Sequence, residues 1–365
     1  MIPLDYICFN AYNGYSASAR SNILALYNSG QYSIRVTPLD QKTDEEVSSH
    51  FNLFSYFSSN YNSDIQIQVY HCVPDMQKRV KRKIFTVGWG IFENTNPPSH
   101  WIDILNTNNV VLTPSKFCQN IFESRCDVPV NYVPHCLDMN IYNKDVKPMN
   151  KYDKFTYLFL GSWKERKGYK TLLKAWFEEF DQNDNVQLVI KTDKPLIAEQ
   201  LVLRMRKKYS APVIVLKQNY TDDEMPAFMK SADCLVTPSL GEGFYMPGIQ
   251  AMAVGVPVII TDFSGCRDYA NEDTSFLLKP EGFVNIPCLD NIPQFSNCSW
   301  AFISVNQLRK QMRNVLVNPN KVAVKVDNAY NMVRKDFCYE KTAESFLNAI
   351  SPITSKMLTK NLVAI

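Results

Sequence analysis

The sequence of 365 residues has little glycine, little histidine and little net charge. It contains 12 Gly and 4 His, and its formal net charge is +3. So small a charge gives no electrostatic reason to expect nucleic acid as the main partner. No apolar run reaches the roughly 18 residues that a membrane-spanning helix needs. What remains is a globular protein with 45% apolar residues, and its length predicts two domains rather than one.

The cysteines lack the spacing of a metal site. None of the ten forms a C-x-x-C pair, and few histidines accompany them, so no zinc site is predicted. Several lie in apolar, strand-like runs, as free buried thiols do. The start of the sequence shows no signal peptide. We therefore expect free thiols and a reducing, cytoplasmic location.

Strand-like and helix-like segments alternate in two series. The first opens with an apolar strand at residues 4–9, a turn that contains Gly14 and Tyr15, and a helix. A polar linker at 139–154 precedes the second series. Such alternation predicts an α/β protein with two Rossmann-like domains and parallel sheets. Further on, residues 300–317 and 325–350 each show an amphipathic helical pattern.

The most informative segment is GEGFYMPGIQAMAVGVP, residues 241–257. Glu242 lies in a glycine turn, and Pro247 can occupy the first position of a helix, where its missing N–H costs nothing. A turn that leads into a helix N-terminus presents free N–H groups and suits a phosphate. Glu242 suits the hydroxyls of a sugar beside it. Gln250, one turn into the helix, can reach a ribose.

This segment resembles the E-x7-E signature of retaining glycosyltransferase family 4, also called glycosyl transferases group 1, which has the GT-B fold. The resemblance implies that Glu242 contacts the donor sugar and that Gly243, Phe244, Tyr245 and Met246 line the donor site. The second carboxylate of the signature, which holds the ribose in the family, is Gln250 here. Gln donates and accepts hydrogen bonds without a charge.

Two further segments resemble donor elements of the same family. GSWKERKG, residues 161–168, resembles the GR-x3-KG loop that clamps the donor diphosphate. Lys167 matches the lysine of that loop, whereas Ser162 stands at the position of the arginine. A lost bidentate donor is a large change for phosphate recognition, and Lys164 or Arg166 can replace it from the same loop. GYSASAR, which begins at Gly14 and Tyr15, resembles the loop beside the donor phosphate.

The acceptor side is indicated by two residues. Residues 88–106 resemble a segment of a bacterial-type branch of the family, which implies that Glu93 lines the acceptor cleft. His71 follows a strand and is a second acceptor-side candidate, although a structural role is at least as good an interpretation. A basic run, from Lys78 to Lys83, is either a solvated helix end or a patch that meets an anionic acceptor or a membrane surface.

The resemblance is strongest over residues 155–275 and implies a two-domain enzyme. Residues 1–140 form the acceptor domain, residues 141–345 bind the nucleotide sugar, and a helix at about 345–365 packs back onto the first domain. The implied function is a retaining, hexosyltransferase-like enzyme that moves a sugar from a UDP- or GDP-sugar to a glycan, glycoprotein or glycolipid hydroxyl. Glu242 and Lys167 are its candidate catalytic residues.

No cofactor and no metal are expected. GT-B enzymes neutralise the leaving diphosphate with basic side chains and helix N-termini, and Asp222 with Asp223 is better interpreted as part of a helix cap. The substitutions at Ser162 and Gln250 keep a second hypothesis open, a degenerate protein that binds nucleotide sugars or glycans without turnover. A sugar-nucleotide epimerase with the GT-B fold is a third, disfavoured by the pattern around Glu242.

Overall fold

The computed structural model describes residues 1–11, 13–39, 56–57, 64–77 and 84–362, with the backbone alone over 353–362. Two six-stranded parallel sheets dominate these residues. The basic run from Lys78 to Lys83 lies outside the described residues. Among the described helices, none combines the length and the hydropathy that a bilayer span requires.

The first sheet has the strand order β2-β1-β3-β4-β5-β6. Its inner strands are buried along most of their length, as expected of strands covered on both faces, whereas its two edge strands are only partly buried. Their bounds are β1 (Ile2–Cys8), β2 (Tyr32–Pro38), β3 (Ile67–His71), β4 (Phe85–Trp89), β5 (Val110–Thr113) and β6 (Val130–Tyr132). The helices of this half are α1 (Gly14–Asn28), α2 (Ser99–Leu105) and α3 (Lys116–Glu123). Asn13 and Ser115 begin α1 and α3 by accepting a backbone N–H bond.

The second sheet has the order β12-β11-β10-β7-β8-β9. Counted from its own first strand this is the order 6-5-4-1-2-3 of a doubly wound Rossmann fold. Its strands are β7 (Phe155–Leu160), β8 (Val186–Lys191), β9 (Val213–Leu216), β10 (Cys234–Thr237), β11 (Val258–Thr261) and β12 (Phe276–Leu278). The helices between them are α4 (Tyr169–Glu179), α5 (Pro195–Met205), α6 (Met225–Lys230) and α7 (Met246–Ala253).

An antiparallel hairpin follows the second sheet and corrects one prediction. Strands β13 (Gly282–Asn285) and β14 (Ser299–Phe302) pair with each other, so residues 300–302 belong to a strand and not to the predicted helix 300–317. Helix α8 (Val305–Val317) begins only after Ser304, whose hydroxyl accepts the N–H of Gln307.

The pattern at 325–350 is likewise two helices and not one. They are α9 (Pro319–Asp336) and α10 (Tyr339–Leu362). Phe337, between them, is buried against Phe244 and Tyr269. The backbone of Cys338 pairs with that of Leu137 in an isolated parallel β-bridge. Tertiary packing thus breaks a pattern that contains no proline or glycine at the break.

Helix α10 returns to the first sheet. Phe346, Ala349 and Ile350 belong to the hydrophobic core formed by β1 to β5 and α1. The Phe346 ring meets Tyr32 edge to face at 5.7 Å, and Asn131 donates to the carbonyl of Ala349. The last described helix therefore completes a core that the first residues of the chain begin.

Candidate active site

The candidate site lies where the strand order of the second sheet changes direction. Strands β7 and β10 are neighbours there, and loops at the carboxyl ends of such strands form the usual ligand crevice of open α/β sheets. The loop after β7 carries Ser162, Lys164, Arg166 and Lys167, and the loop after β10 carries Glu242. The topology thus brings the two predicted catalytic residues together.

Glu242 is buried between two cations. Its side chain keeps only 6% of its surface exposed. One carboxylate oxygen is 2.6 Å from Lys167 Nζ, and the other is 2.8 Å from Arg166 Nη1. Burial alone would raise the pKa of Glu242, but the charges of Lys167 and Arg166 outweigh it and lower the pKa to about 2. Glu242 is therefore an anion at neutral pH.

Arg166 joins the two halves of the site. Its Nη2 is 3.0 Å from Glu93 Oε1, and its Nη1 also donates to the carbonyl of Gly241 at 2.7 Å. Glu93 follows β4 of the first sheet, so the Glu93–Arg166–Glu242–Lys167 chain runs from one domain into the other. Its two anionic and two cationic side chains balance, so this chain of ion pairs has no net charge. Arg166 is already engaged by two carboxylates and is not a free replacement for the arginine missing at Ser162.

Close backbone contacts hold the Glu242 loop. Gly265 donates its N–H to the carbonyl of Glu242 at 2.9 Å, and a Cβ at Gly265 would lie 1.9 Å from the carbonyl oxygen of Gly243. Gly168 has φ +73° and would place a Cβ 2.0 Å from Pro238 O. Only glycine fits these two positions. Through them, the loops that follow β7 and β11 are packed against the loop that follows β10.

Helix α7 presents its N-terminus to the same place. Tyr245 precedes the helix in the left-handed conformation, φ 71°, and its hydroxyl donates to Leu160 O at 2.8 Å. The backbone N–H groups of Phe244, Tyr245 and Met246 find no acceptor among the described residues. Lys167 Nζ lies 5.0 Å from the centre of the Tyr245 ring. Free N–H groups, the helix dipole and a lysine together form an environment for an anion.

Gln250 is turned toward the interdomain linker. Its Nε2 donates to the hydroxyl of Tyr142 at 2.9 Å, and its side chain is buried. Burial raises the pKa of Tyr142 above its ordinary range, so the hydroxyl keeps its proton at neutral pH. The linker, read in the sequence as a polar spacer, thus contributes a side chain directly behind the signature helix.

A second interdomain ion pair was not predicted. Arg20 on α1 contacts Asp222 through two hydrogen bonds of 2.5 and 3.0 Å. Asp222 is therefore not a cap. Thr221 and Glu224 do the capping instead, each accepting the backbone N–H of the other. The only signal in the sequence was the position of Arg20 in the segment GYSASAR.

The other predicted residues are more dispersed. Gly14 is exposed at the start of α1, and Tyr15 is half-buried. Burial and then the Glu93 carboxylate raise the pKa of Tyr15 well above its usual range, and the ring of Tyr15 lies 6.1 Å from that of His71. Ser162 and Lys164 are half-buried, and Lys164 makes no ion pair with a described residue.

His71 does not reach the surface of the cleft. It is fully buried. Its Nδ1 is hydrogen-bonded to the Tyr6 hydroxyl at 2.7 Å, and its Nε2 to the Ser18 hydroxyl at 3.3 Å. Its ring stacks on Trp89, with 4.4 Å between the ring centres. Burial, followed by His135, lowers its pKa well below the usual value. In this arrangement His71 is a neutral core histidine behind the loop that starts α1.

The hairpin insert closes one side of the site. Phe295, Cys298 and Trp300 of the insert share a hydrophobic cluster with Phe92 and Trp101 of the first half. Asp290 accepts the backbone N–H groups of Glu165 and Arg166. No pattern in the sequence predicts this contact. Among the residues that the structure describes, no group of three or more His, Cys, Asp or Glu side chains could hold a metal ion.

Comparisons with known proteins agree with the second half of the chain. Residues 154–285 match the family described as "Glycosyl transferases group 1", so the predicted group 1 domain is confirmed over these residues. Protein CapJ of Staphylococcus aureus is 26% identical over 127 residues, 34% of this chain and 31% of CapJ. An uncharacterized glycosyltransferase of Methanocaldococcus jannaschii is 30% identical over 163 residues, 42% of this chain and 44% of that protein. The chain thus spans less than half the length of these curated relatives.

A solved structure covers the whole architecture. HepE of Anabaena, crystallised with UDP and glucose, superposes with a TM-score of 0.70 at 11% identity, covering 97% of this chain and all of HepE. At that identity the likeness concerns the fold alone, and the predicted GT-B fold is confirmed.

Proposed function

We propose, from the premise that residues 154–285 form a glycosyl transferases group 1 domain, that the chain is a retaining glycosyltransferase. It would take a sugar from a UDP- or GDP-sugar and attach it to a hydroxyl of a glycan, glycoprotein or glycolipid. The observation that carries the proposal is the ionised Glu242 held by Lys167 beside the free N–H groups that open α7.

The donor fits this environment in two parts. The diphosphate takes the helix N-terminus, Lys167 and Lys164, which together supply positive potential where charge develops on the leaving group. The sugar takes Glu242, whose low pKa makes it a hydrogen-bond acceptor for hydroxyls and excludes it as a proton donor at neutral pH. The nucleoside lies toward Gln250 and the linker.

The transfer balances without a dedicated base. The bond between the anomeric carbon and the phosphate oxygen breaks, and the acceptor hydroxyl attacks from the same face. Its proton passes to the departing phosphate oxygen. Because cationic groups and the helix N-terminus offset the charge, we propose that no metal ion takes part. Loss of turnover in a chelator, restored by magnesium or manganese, would contradict this point.

The test begins with binding. A ligand that binds only the native state raises its thermal stability, so a panel of UDP-, GDP- and ADP-sugars is screened by thermal shift, with UDP-glucose first because HepE was crystallised with UDP and glucose. Turnover is then measured with the sugars that bind. Glu242→Ala is expected to abolish turnover, and Lys167→Ala to weaken both donor binding and turnover. Wild-type activity in either variant would refute the assignment.

A second candidate function is favoured by the state of two positions of the family's donor site. The amide of Gln250 is hydrogen-bonded to Tyr142 inside the protein. Ser162 stands in place of the arginine, and Arg166, its candidate replacement, is held by two carboxylates. A protein that binds a nucleotide sugar or a glycan without turnover would have this property. Binding in the thermal-shift panel with no transfer to a broad set of acceptors would identify it.

A further inference from the structure

We propose that the outer face of helix α5 (Pro195–Met205), together with the loop that leads from it into β9, is a surface that docks onto an anionic lipid bilayer. This docking face lies at the edge of the second sheet, where β9 has one neighbour, β8. None of its residues contacts Glu242 or Lys167, so the proposal does not depend on the reaction proposed above.

The docking face is more apolar than a solvated helix needs to be. Leu196, Ile197 and Leu203 keep 62%, 53% and 60% of their surface exposed, while Ala198 and Val202 on the opposite side are buried in the core. Leu196 and Leu203 are two helical turns apart and therefore lie on one face. Three large aliphatic side chains exposed together on a short helix form a patch of the kind that marks an interaction surface.

Positive charge surrounds this patch. Residues 194–217 contain six Lys or Arg and one Glu, although the whole chain has a net charge of only +3. Glu199, the one acid, pairs with Lys217 at 3.1 Å. Arg204, Arg206 and Lys207, like Lys208, make no ion pair with any residue that the structure describes. These cations are therefore available to an external anion.

A groove at the end of the helix combines both properties. It has a volume of about 420 Å³, and its walls include Phe177, Val202 and Val213 beside Arg206, Lys207 and Lys208. Tyr209 next to it is 57% exposed, with Lys208 Nζ 5.2 Å from its ring centre. The basic rim suits the anionic head of a phospholipid, and the exposed Tyr209 ring suits the interfacial layer of a bilayer.

The combination favours lipid over other polyanions. A nucleic acid or a sulfated polysaccharide would use the cations but leave the exposed Leu and Ile side chains in water. A helix face with exposed aliphatic residues and flanking Lys and Arg binds a bilayer surface through apolar burial plus attraction to anionic lipids. Charge complementarity and the aliphatic patch thus indicate the same occupant.

The experiment is flotation of the full chain with vesicles. We expect binding to vesicles that contain phosphatidylglycerol, weak binding to phosphatidylcholine alone, and loss of binding as salt is raised. Arg206→Glu with Lys207→Glu and Lys208→Glu should lower the partition coefficient by about 100-fold or more, since each cation contributes roughly 1 kcal/mol. Leu196→Gln with Ile197→Gln and Leu203→Gln should lower it by roughly tenfold or more.

Matched controls come from α8 and α9; α8 packs against β12, at the opposite edge of the second sheet from β9. Val317 and Val324 are 60% and 61% exposed, and their double change to Gln should leave vesicle binding unchanged. Changing the exposed Lys310, Lys321 and Lys335 to Glu removes the same charge elsewhere. All altered residues are exposed, so a melting curve is expected to show native folding in every variant.

Three results would overturn the proposal. The first is that the wild type does not bind vesicles, and the second is that the control variants lose as much binding as the docking-face variants. The third is that the aliphatic variant binds vesicles as well as the wild type does, while heparin competes for the binding. The last result would identify a general polyanion site. The wild type could instead form dimers in light scattering and bind no vesicles, while the aliphatic variant is monomeric. That result would show that the docking face joins two copies of the chain.

Discussion

At the scale of single residues, the site depends on a carboxylate that is both buried and charged. Glu242 loses most of its hydration, and Lys167 and Arg166 compensate for that loss. Its folded pKa of about 2 lies below the ordinary 4.5. Such a group stabilises the folded state above its unfolded pKa, and this stabilisation is lost as the pH falls toward the folded pKa.

The first prediction concerns this pH dependence. The wild type should lose about 3 kcal/mol of unfolding free energy from this group between about pH 5 and pH 2. Glu242→Gln should be less stable than the wild type at pH 7, because it leaves the buried Lys167 without an anion and Arg166 with Glu93 alone, and the difference should vanish near pH 2. Urea unfolding at a series of pH values measures this. Glu344→Gln, at an exposed pair with Lys341, is the control and should lower stability by less than about 1 kcal/mol.

The second prediction concerns Gln250. Gln250→Glu should change donor affinity by about tenfold or less, since a hydrogen bond to a charged group contributes ~1.5–3 kcal/mol against ~1 for a neutral one. The Tyr142 hydroxyl, now a partner of Gln250, can donate to the new carboxylate, so the variant should fold. Titration with a donor identified in the panel measures the change. A shift well beyond tenfold would mean that Gln250 has a different role.

Residue by residue, the sequence indicated local chemistry better than long-range pairing. Glu242 and Lys167 were predicted on separate loops, and they meet at 2.6 Å. Arg166 pairs with Glu93, and Arg20 pairs with Asp222. Neither pairing is visible in the local sequence, because the two partners are far apart in the chain and belong to different sheets. His71 ended a strand as predicted, but its burial depends on Trp89 and His135, which come from other elements.

At the scale of elements, close backbone contacts help to hold the loops of the site. The clearest case is the turn at Gly265, which lies against Gly243. A methyl group there would move the Glu242 loop, since a carbonyl oxygen cannot yield as a flexible side chain does.

The third prediction follows from this contact. Gly265→Ala should destabilise the protein by about 3 kcal/mol or more and should remove donor binding even though no donor-contacting side chain has changed. Gly282→Ala is the matched control, because nothing lies within 4 Å of its added Cβ. Thermal melts of both variants, with and without the donor, provide the comparison. Equal stability of the two would refute the steric argument.

Element boundaries were predictable where apolar periodicity alone decides them. The alternating strands and helices of both sheets follow it. The hairpin of β13 and β14 does not, since Trp300 fits a helical pattern but packs against Phe295 in a cluster shared with the first half. The break at Phe337 is similar, because its cause is a pocket formed by Phe244 and Tyr269.

At the scale of the whole molecule, the two sheets are joined by more than one connection. The linker passes between them once, α10 returns to the first sheet, and the insert reaches across to Phe92 and Trp101. The first core is therefore built from two distant parts of the chain.

The fourth prediction tests this discontinuity. A fragment of residues 1–140 lacks Phe346, Ala349 and Ile350, which are buried in its core, and should not unfold cooperatively on heating. Joining residues 337–362 to the fragment through a flexible linker should restore a cooperative transition and protection from proteases. A sharp melt of the shorter fragment at the temperature of the intact chain would show that α10 is dispensable.

The same return of α10 sets an order of events during synthesis. Roughly 200 residues separate β6 from Phe346, and translation at about 5–20 residues per second takes about 10–40 s to supply them. During that interval the second sheet can already form, while the first lacks the helix that packs against α1 and β6. The half of the protein that is made first is thus the half that is finished last, and until then its open apolar side is a surface for a chaperone.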